Sequence, residues 1–398
     1  MKQPTVGLAC TIAVVSLLLL SACLHRPEAV ARPQLEFLGN PFQADYPEGE
    51  VVYARNIWDM QLHNGKIHLG AGNSSNTGPA PNSGRVAVYS LLPEENRFRK
   101  EFIAAEEQVD SFRILDGVLY IPGHDATQTW DYGNIHYLDQ ASDQWIKLRT
   151  LPKALHVYDV LMHGGLLYAA GSVPEHGAVF TSGDGGQSWT VQQLGAGRVY
   201  TLFSLSRTVY AAKDFRTDAK AGGALFSADP AHGFRPVANS TAPDVFPDTD
   251  FDGSRAKLIR PVKAGDALYY IGAYVHNDHQ NRPFGLYRAT HTESAIYFER
   301  LKLEPDYVPR DILVRDGSIL VLADRATSGG FVIKVYGLDV STLPDFSTVL
   351  EFTHAGFARS FEESRDSFYF GMGSEIADPE NWSQTELAEH TGDILRYK

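Results

Sequence analysis

From residue 33 onward, short apolar runs rich in β-branched and aromatic residues alternate with clusters of Gly, Asn, Asp and Pro, and the 3.6-residue period of amphipathic helices is nearly absent. The pattern predicts an all-β fold. A turn followed by a short buried strand recurs seven times, as NGKIHLGAG, DGVLYIPGHD, GGLLYAAGS, SRTVYAAKD, GDALYYIGA, DGSILVLAD and RDSFYFGMG. Counted from the turn residue before each strand (Gly65, Gly117, Gly165, Arg207, Asp266, Gly317, Asp366), the spacings are 52, 48, 42, 59, 51 and 49. A repeat of about fifty residues with several strands in each marks a β-propeller blade.

Each repeat reads as four strands: an inner one before the anchor (WDMQLH in the first repeat), the anchor strand, a third (RVAVYSL) and an outer one (RFRKEF). The seventh repeat stops at its third strand, DILRYK, whereas PQLEFLGN near the N-terminus reads like the outer strand STVLEFTH of the sixth. Pairing the N-terminal strand with the last blade is expected to close a seven-bladed β-propeller over residues 33–398 and to remove exposed strand edges.

The first residues follow another pattern. MKQPTVGLACTIAVVSLLLLSAC has a cationic start at Lys2 and an apolar run from Val6 to Leu20, short for a bilayer span and suited to a signal peptide over residues 1–22. Leu20-Ser21-Ala22-Cys23 resembles the bacterial lipobox. The resemblance implies lipidation of Cys23, a tether over 23–32, and membrane attachment through that lipid alone. Leu24, in place of an aspartate, is similar to lipoproteins sorted to the outer membrane, facing the periplasm or the surface.

Composition narrows the chemistry. The only cysteines are Cys10 and Cys23, so the exported body is expected to hold no thiol for a disulfide, a metal or a nucleophile. The formal net charge is −13, or −14 once Lys2 is removed, which argues against nucleic acid as a partner. No organic cofactor and a monomeric state are expected.

TSGDGGQSWT, residues 181–190, falls between the third strand GAVFT and the outer strand SWTVQQL of blade three, where a hairpin turn is required. It resembles the Asp-box of sialidase-like propellers, in which the Asp caps the turn through backbone N–H groups, glycines supply positive φ and the Trp packs between blades. The resemblance implies a structural role on the outer rim.

A ligand site is expected in the axial funnel. Six residues before the anchors stand Asp59, Ser111, Asp159, Thr201, Arg260, Asp311 and Ser360, with Asp110, Arg310 and Arg359 one step earlier. Arg thus occurs only in the last three blades, an asymmetry suited to an anionic ligand unless these groups pair across the channel. Blades two to four add His124 and His136, then His156, then Arg198, Tyr200 and Arg216.

This arrangement resembles the seven-bladed propeller polysaccharide lyases that cleave ulvan, in which two histidines from neighbouring blades, a tyrosine and an arginine surround a uronic acid. The resemblance implies catalytic roles for His136, His156, Tyr200 and Arg216, with His124, Arg198, Arg260, Arg310 and Arg359 binding an anionic polysaccharide. The residue types suit β-elimination. A histidine can remove the C5 proton, tyrosine can protonate the leaving O4, and arginine can neutralise the carboxylate through two parallel hydrogen bonds. A non-catalytic propeller binding glycan or protein is the alternative, and a sialidase-like glycosidase is a third reading suggested by the single Asp-box.

Finally, PDTDFDGS places Asp248, Asp250 and Asp252 at alternate positions before Gly253, similar to the first half of an EF-hand loop, with Ile259 where the bidentate Glu would stand. A structural Ca²⁺ is expected there, with a solvated acidic loop as the competing reading.

Overall fold

Each of the seven anchor turns is a two-residue hairpin loop joining an inner strand to the next, the first pair being Asp59–His63 and Lys66–Gly70. The first loop residue (Asn64, Asp116, Gly164, Ser206, Gly265, Asp316, Arg365) takes φ between 46° and 59° in every case. Such turns match the right-handed twist of the flanking strands. The computed structural model describes Met1 and residues 34–76, 80–217, 223–252, 254–276, 280–292, 295–340, 345–375 and 389–398. The expected signal peptide, Cys23 and the tether lie outside the described residues.

The unit Leu35–Lys398 comprises seven sheets, six of four strands and one of five. The first two dozen residues aside, the repeat boundaries read from the sequence are the blade boundaries. Blade seven runs outward from Phe357–Ser364 through Ser367–Gly373 and Ile394–Tyr397 to Leu35–Gly39, with Leu35 opposite Tyr397 and Phe37 opposite Leu395. Arg396 clamps this closure by donating Nη2 and Nε to Glu36 Oε2 at 2.6 and 3.2 Å. The fifth strand of blade five was not foreseen: Phe215–Arg216, from the blade-four loop, pairs with Arg255 and Ala256 at the start of that blade's inner strand.

The core lies between sheets, where inward residues of neighbouring blades interdigitate, as Ile67, Leu69 and Val88 of blade one do with Leu119, Ile121 and Leu138 of blade two. A second set of ties binds the blades at the axis. Asp59 accepts from Met60 N (3.0 Å) and from Phe112 N of blade two (2.6 Å). Asp159 likewise accepts from Val160 N and from Leu202 N of blade four, both at 2.8 Å, and Asp311 from Ile312 N (2.9 Å) and Phe361 N of blade seven (3.2 Å). In the blades that receive these bonds, Thr201 Oγ1 donates onward to Leu258 O (2.6 Å) and Ser360 Oγ to Ile57 O (3.1 Å). Five of the seven residues six before the anchors (Asp59, Asp159, Thr201, Asp311 and Ser360) therefore staple one blade to the next.

In the 181–190 turn, Asp184 Oδ1 accepts from Gln187 N (3.0 Å), Ser188 N (2.9 Å) and Ser182 Oγ (2.7 Å), and Ser182 Oγ accepts from Gly186 N (2.8 Å). Trp189 Nε1 donates to Thr150 Oγ1 of blade two at 2.9 Å. The turn thus fastens the outer strands of two blades.

Candidate functional site

The staples leave a cavity of about 110 Å³ on the axis, lined by the inner strands and by Asn281 and Pro283 of blade five. At about 10–15 Å³ per water it has room for roughly seven to eleven waters.

Most of its charge is internally paired. Arg113 grips Asp159 with two bonds of 2.7 Å. Arg260, at φ 52°, reaches Asp59 (2.6 Å) and Asp311 (3.4 Å) and donates to Trp58 O. Arg310 is held by Asp324 and by Glu375 (2.8 Å). Burial raises the pKa of Asp59 and of Asp311, while Arg260 opposes that rise in both. The expected ion pairing across the channel is what the geometry contains for Arg260, and Arg310 is saturated within its own neighbourhood.

Two cationic groups of the lining differ. Lys257 stands over the Tyr200 ring with Nζ 4.5 Å from the centroid, and burial lowers its pKa to about 8 although Asp110 works in the opposite direction. Among the described residues Arg359 has only neutral acceptors, Asn56 Oδ1 at 3.0 Å and Ser374 O at 2.8 Å.

Around Lys257 the walls of blades two to five form one aromatic and imidazole cluster. Tyr200 packs on Tyr158 (4.7 Å between centroids), Tyr158 stacks on His156 (5.3 Å, 7°), and His124 meets Tyr158 edge-on (5.1 Å). Arg198 flanks Tyr158 at 6.0 Å from its ring. His124 Nδ1 lies 3.1 Å from Asp110 Oδ1 and His156 Nε2 lies 3.3 Å from Asp125 Oδ2. Burial disfavours charge on both rings, but Asp110 raises His124 above its usual value, whereas Asp125 fails to offset burial and His156 falls below it. Burial holds both tyrosines protonated by raising their pKa values. The Tyr158 hydroxyl and Ser111 Oγ, both at the cavity, are buried with no hydrogen-bond partner among the described residues.

The four residues for which the resemblance implies catalysis are not brought to one cavity. Tyr200 lines it, and His156 stands one ring behind, through Tyr158. His136 instead faces blade one, 2% exposed, with Nε2 3.2 Å from Glu106 Oε1 and its ring 5.4 Å from Phe102. Period-two alternation accounts for this: His136 shares its side of the third strand with Leu138, which packs into the core between blades one and two. Arg216 is exposed on the added strand opposite Arg255 and is absent from the cavity lining. Of the binding set, Arg260, Arg310 and Arg359 line the cavity, and His124 and Arg198 stand beside its tyrosines. Lys257 was missed. Its signal was RAKLIR, an inner strand that carries charge at its axial start.

The three aspartates of 248–252 do not converge. Asp252 pairs with Arg282 at 2.8 Å, Asp248 directs its carbonyl to Arg300, and among the described residues no group of three His, Cys, Asp or Glu side chains could hold a metal ion. Gly253 lies outside the described residues. No helix among those residues is long and apolar enough to cross a membrane.

No family model matches the chain, and no curated protein sequence does. Solved structures resemble it in fold. The WD40 domain of Neurospora crassa Pan2 aligns at TM-score 0.53 and 10% identity over 91% of this chain and 93% of that one. Hydrazine synthase of Kuenenia stuttgartiensis aligns at TM-score 0.50 and 13% identity over 80% and 93%. The extracellular domain of a one-component system from B. thetaiotaomicron aligns at TM-score 0.49 and 11% identity over 80% of this chain, which spans only 39% of that one. The first two likenesses establish the fold alone, a β-propeller, and a fold so shared assigns no chemistry.

Proposed function

We propose that this propeller binds an anionic, uronic-acid-containing polysaccharide at its axial cavity and cleaves it by β-elimination, with Lys257 and Tyr200 in the roles that the lyase resemblance implies for histidine and tyrosine. The observation that carries the reading is the Lys257–Tyr200 pair, whose environments push the two groups toward opposite tasks. At a pKa of about 8, roughly one Lys257 in ten is a free amine at pH 7, poised to accept a proton. Tyr200, kept protonated by burial, is suited to donate one.

In the proposed step the Lys257 amine takes the C5 proton, the C5 electron pair forms the C4–C5 double bond, and the C4–O4 bond breaks. Tyr200 delivers its proton to the departing O4. Arg198, beside both tyrosines, neutralises the carboxylate so that charge developing on it is stabilised. Acid and base are each typically worth about 10²–10⁴-fold.

The test is ultraviolet detection of unsaturated uronate released from ulvan and other uronate polysaccharides by the purified protein. The reading predicts product with wild type and its loss in Lys257→Met and Tyr200→Phe. Absence of product from every uronate polymer would overturn it.

A second reading, a non-catalytic glycan-binding propeller, is favoured by the imidazoles, since His124 and His156 are each already engaged by an aspartate and a serine. It predicts binding of the same polymers without product. In either case lipidation at Cys23 would hold the propeller at the outer membrane, where such polymers arrive.

A further inference from the structure

Arg359 sits in the wall of the axial cavity and is 7% exposed. Its guanidinium lies over the Trp58 ring at 4.3 Å and beside Phe357 at 5.2 Å. Trp58 is itself fixed, donating Nε1 to Gly72 O at 2.7 Å. Asn56 and Ser374 orient one edge of the fork through Nε and Nη2, and both acceptors are uncharged. The backbone has been fitted to the side chain, because a Cβ at Gly373 would stand 2.8 Å from Arg359 Nε and from Asn56 Oδ1.

The neighbouring arginine side chains differ in one respect. Arg260 has Asp59 and Asp311, Arg310 has Asp324 and Glu375, and Arg113 has Asp159. No carboxylate among the described residues lies within ion-pair distance of Arg359. A guanidinium cannot relieve burial by losing its proton at any working pH, and a buried charge is retained only with a counter-ion or an equivalent set of bonds. Nη1 makes no hydrogen bond within the described chain, although Nε and Nη2 hold it in a fixed plane. A pre-oriented fork with free donors matches two oxygens of one oxyanion.

We propose that Arg359 forms a second anion subsite, separate from the Lys257–Tyr200 pair on the same cavity, which takes an oxyanion of the glycan, either a sulfate ester or a further carboxylate. The subsite rests on the reading of the cavity as a site for anionic glycan but not on elimination chemistry. It makes the preferred ligand one with two acidic groups within the span of one cavity.

Three measurements on the full propeller test it. Crystals of the wild-type protein soaked in selenate are expected to show anomalous selenium density within hydrogen-bond reach of Arg359 Nη1. Thermal melts at matched ionic strength are expected to show stabilisation by sulfate or by glucuronate over chloride, and the more effective of the two identifies the oxyanion. Arg359→Gln is expected to weaken that response at least tenfold in anion concentration, while Lys257→Met keeps it. Equal midpoints in all three salts, a full response in Arg359→Gln, or selenate seated elsewhere in the cavity would each overturn the subsite. The soak needs no variant to fold, and a protein that releases no unsaturated uronate can still pass all three.

Discussion

Lys257 Nζ lies 4.5 Å from the centroid of the Tyr200 ring, and no carboxylate among the described residues is within ion-pair distance of it. A cation–π contact is worth about 0.5–2 kcal/mol. The fall of the Lys257 pKa from 10.5 to about 8 corresponds to a penalty on its charged form of the order of 3 kcal/mol, so the ring compensates only in part.

Lys257→Met should therefore raise stability at pH 7, by about 1–3 kcal/mol, while abolishing product formation. The sign with pH follows from proton uptake. Between pH 8 and 10.5 the unfolded chain binds more protons at this residue than the folded one, so wild type gains relative to the variant as pH rises through that window. Urea denaturation of both proteins at pH 7 and pH 9.5 measures the convergence.

Arg260→Ala would leave Asp59 and Asp311 buried without their shared counter-ion. A loss of about 3–5 kcal/mol is expected at neutral pH. Burial already raises both carboxyl groups, and without Arg260 they rise further, so the loss should shrink as pH falls and they take up protons. Chemical denaturation at pH 5 and pH 7.5 reads the difference. Arg260→Ala as stable as wild type would mean that the axial pairs contribute nothing.

Three histidines should titrate apart from one another by NMR. His124, beside Asp110, is expected above 6.5 and His156 below it, while His68, enclosed by Phe112 and Trp145 with no partner on either nitrogen among the described residues, is expected near 3. Asp110→Asn should move His124 down and leave His68 in place. The stability that His124 draws from Asp110 is complete below 6.5 and fades as pH rises through its raised folded value.

Asp184→Asn should lower the melting temperature without altering the cavity's activity or anion response. Four hydrogen bonds in the turn hold the Asp184 carboxyl well below its usual range. Its contribution is present above pH 4 and falls away in acid, so the two melting curves should approach each other as pH drops. A change in activity would contradict the structural role of the turn.

Removal of residues 35–39 should open the ring. Ile394–Tyr397 would become an edge strand and the buried Arg396 would lose Glu36. Light scattering is expected to report association, and calorimetry a lower melting temperature than wild type.

Seven anchors, four strands per blade and the return of the N-terminal strand were all readable in the chain, because hairpin turns and two-residue alternation are written in consecutive residues. Asp59, Asp159 and Asp311 were also visible as a set. Their use was not, since each accepts from the backbone of the following blade, about forty to fifty residues away in the chain. Tyr200 and Lys257 both line the cavity, and Lys257 was passed over as one charge in a polar strand end.

What the sequence determined alone is therefore the number of blades, their order and the way the ring is shut, for these follow from local turn preference and apolar periodicity repeated along the chain. Only the tertiary structure decided which side chains reach the axis. Bulges shift the register of the inner strands between Val157 and Asp159, Val199 and Thr201, Ile259 and Val262, Pro309 and Asp311, and Ala358 and Ser360. Each such shift reverses the faces to which later residues point. The charge states of Lys257, Arg359 and His124 depend in turn on desolvation and on partners from other blades, and those terms exist only once the ring has closed.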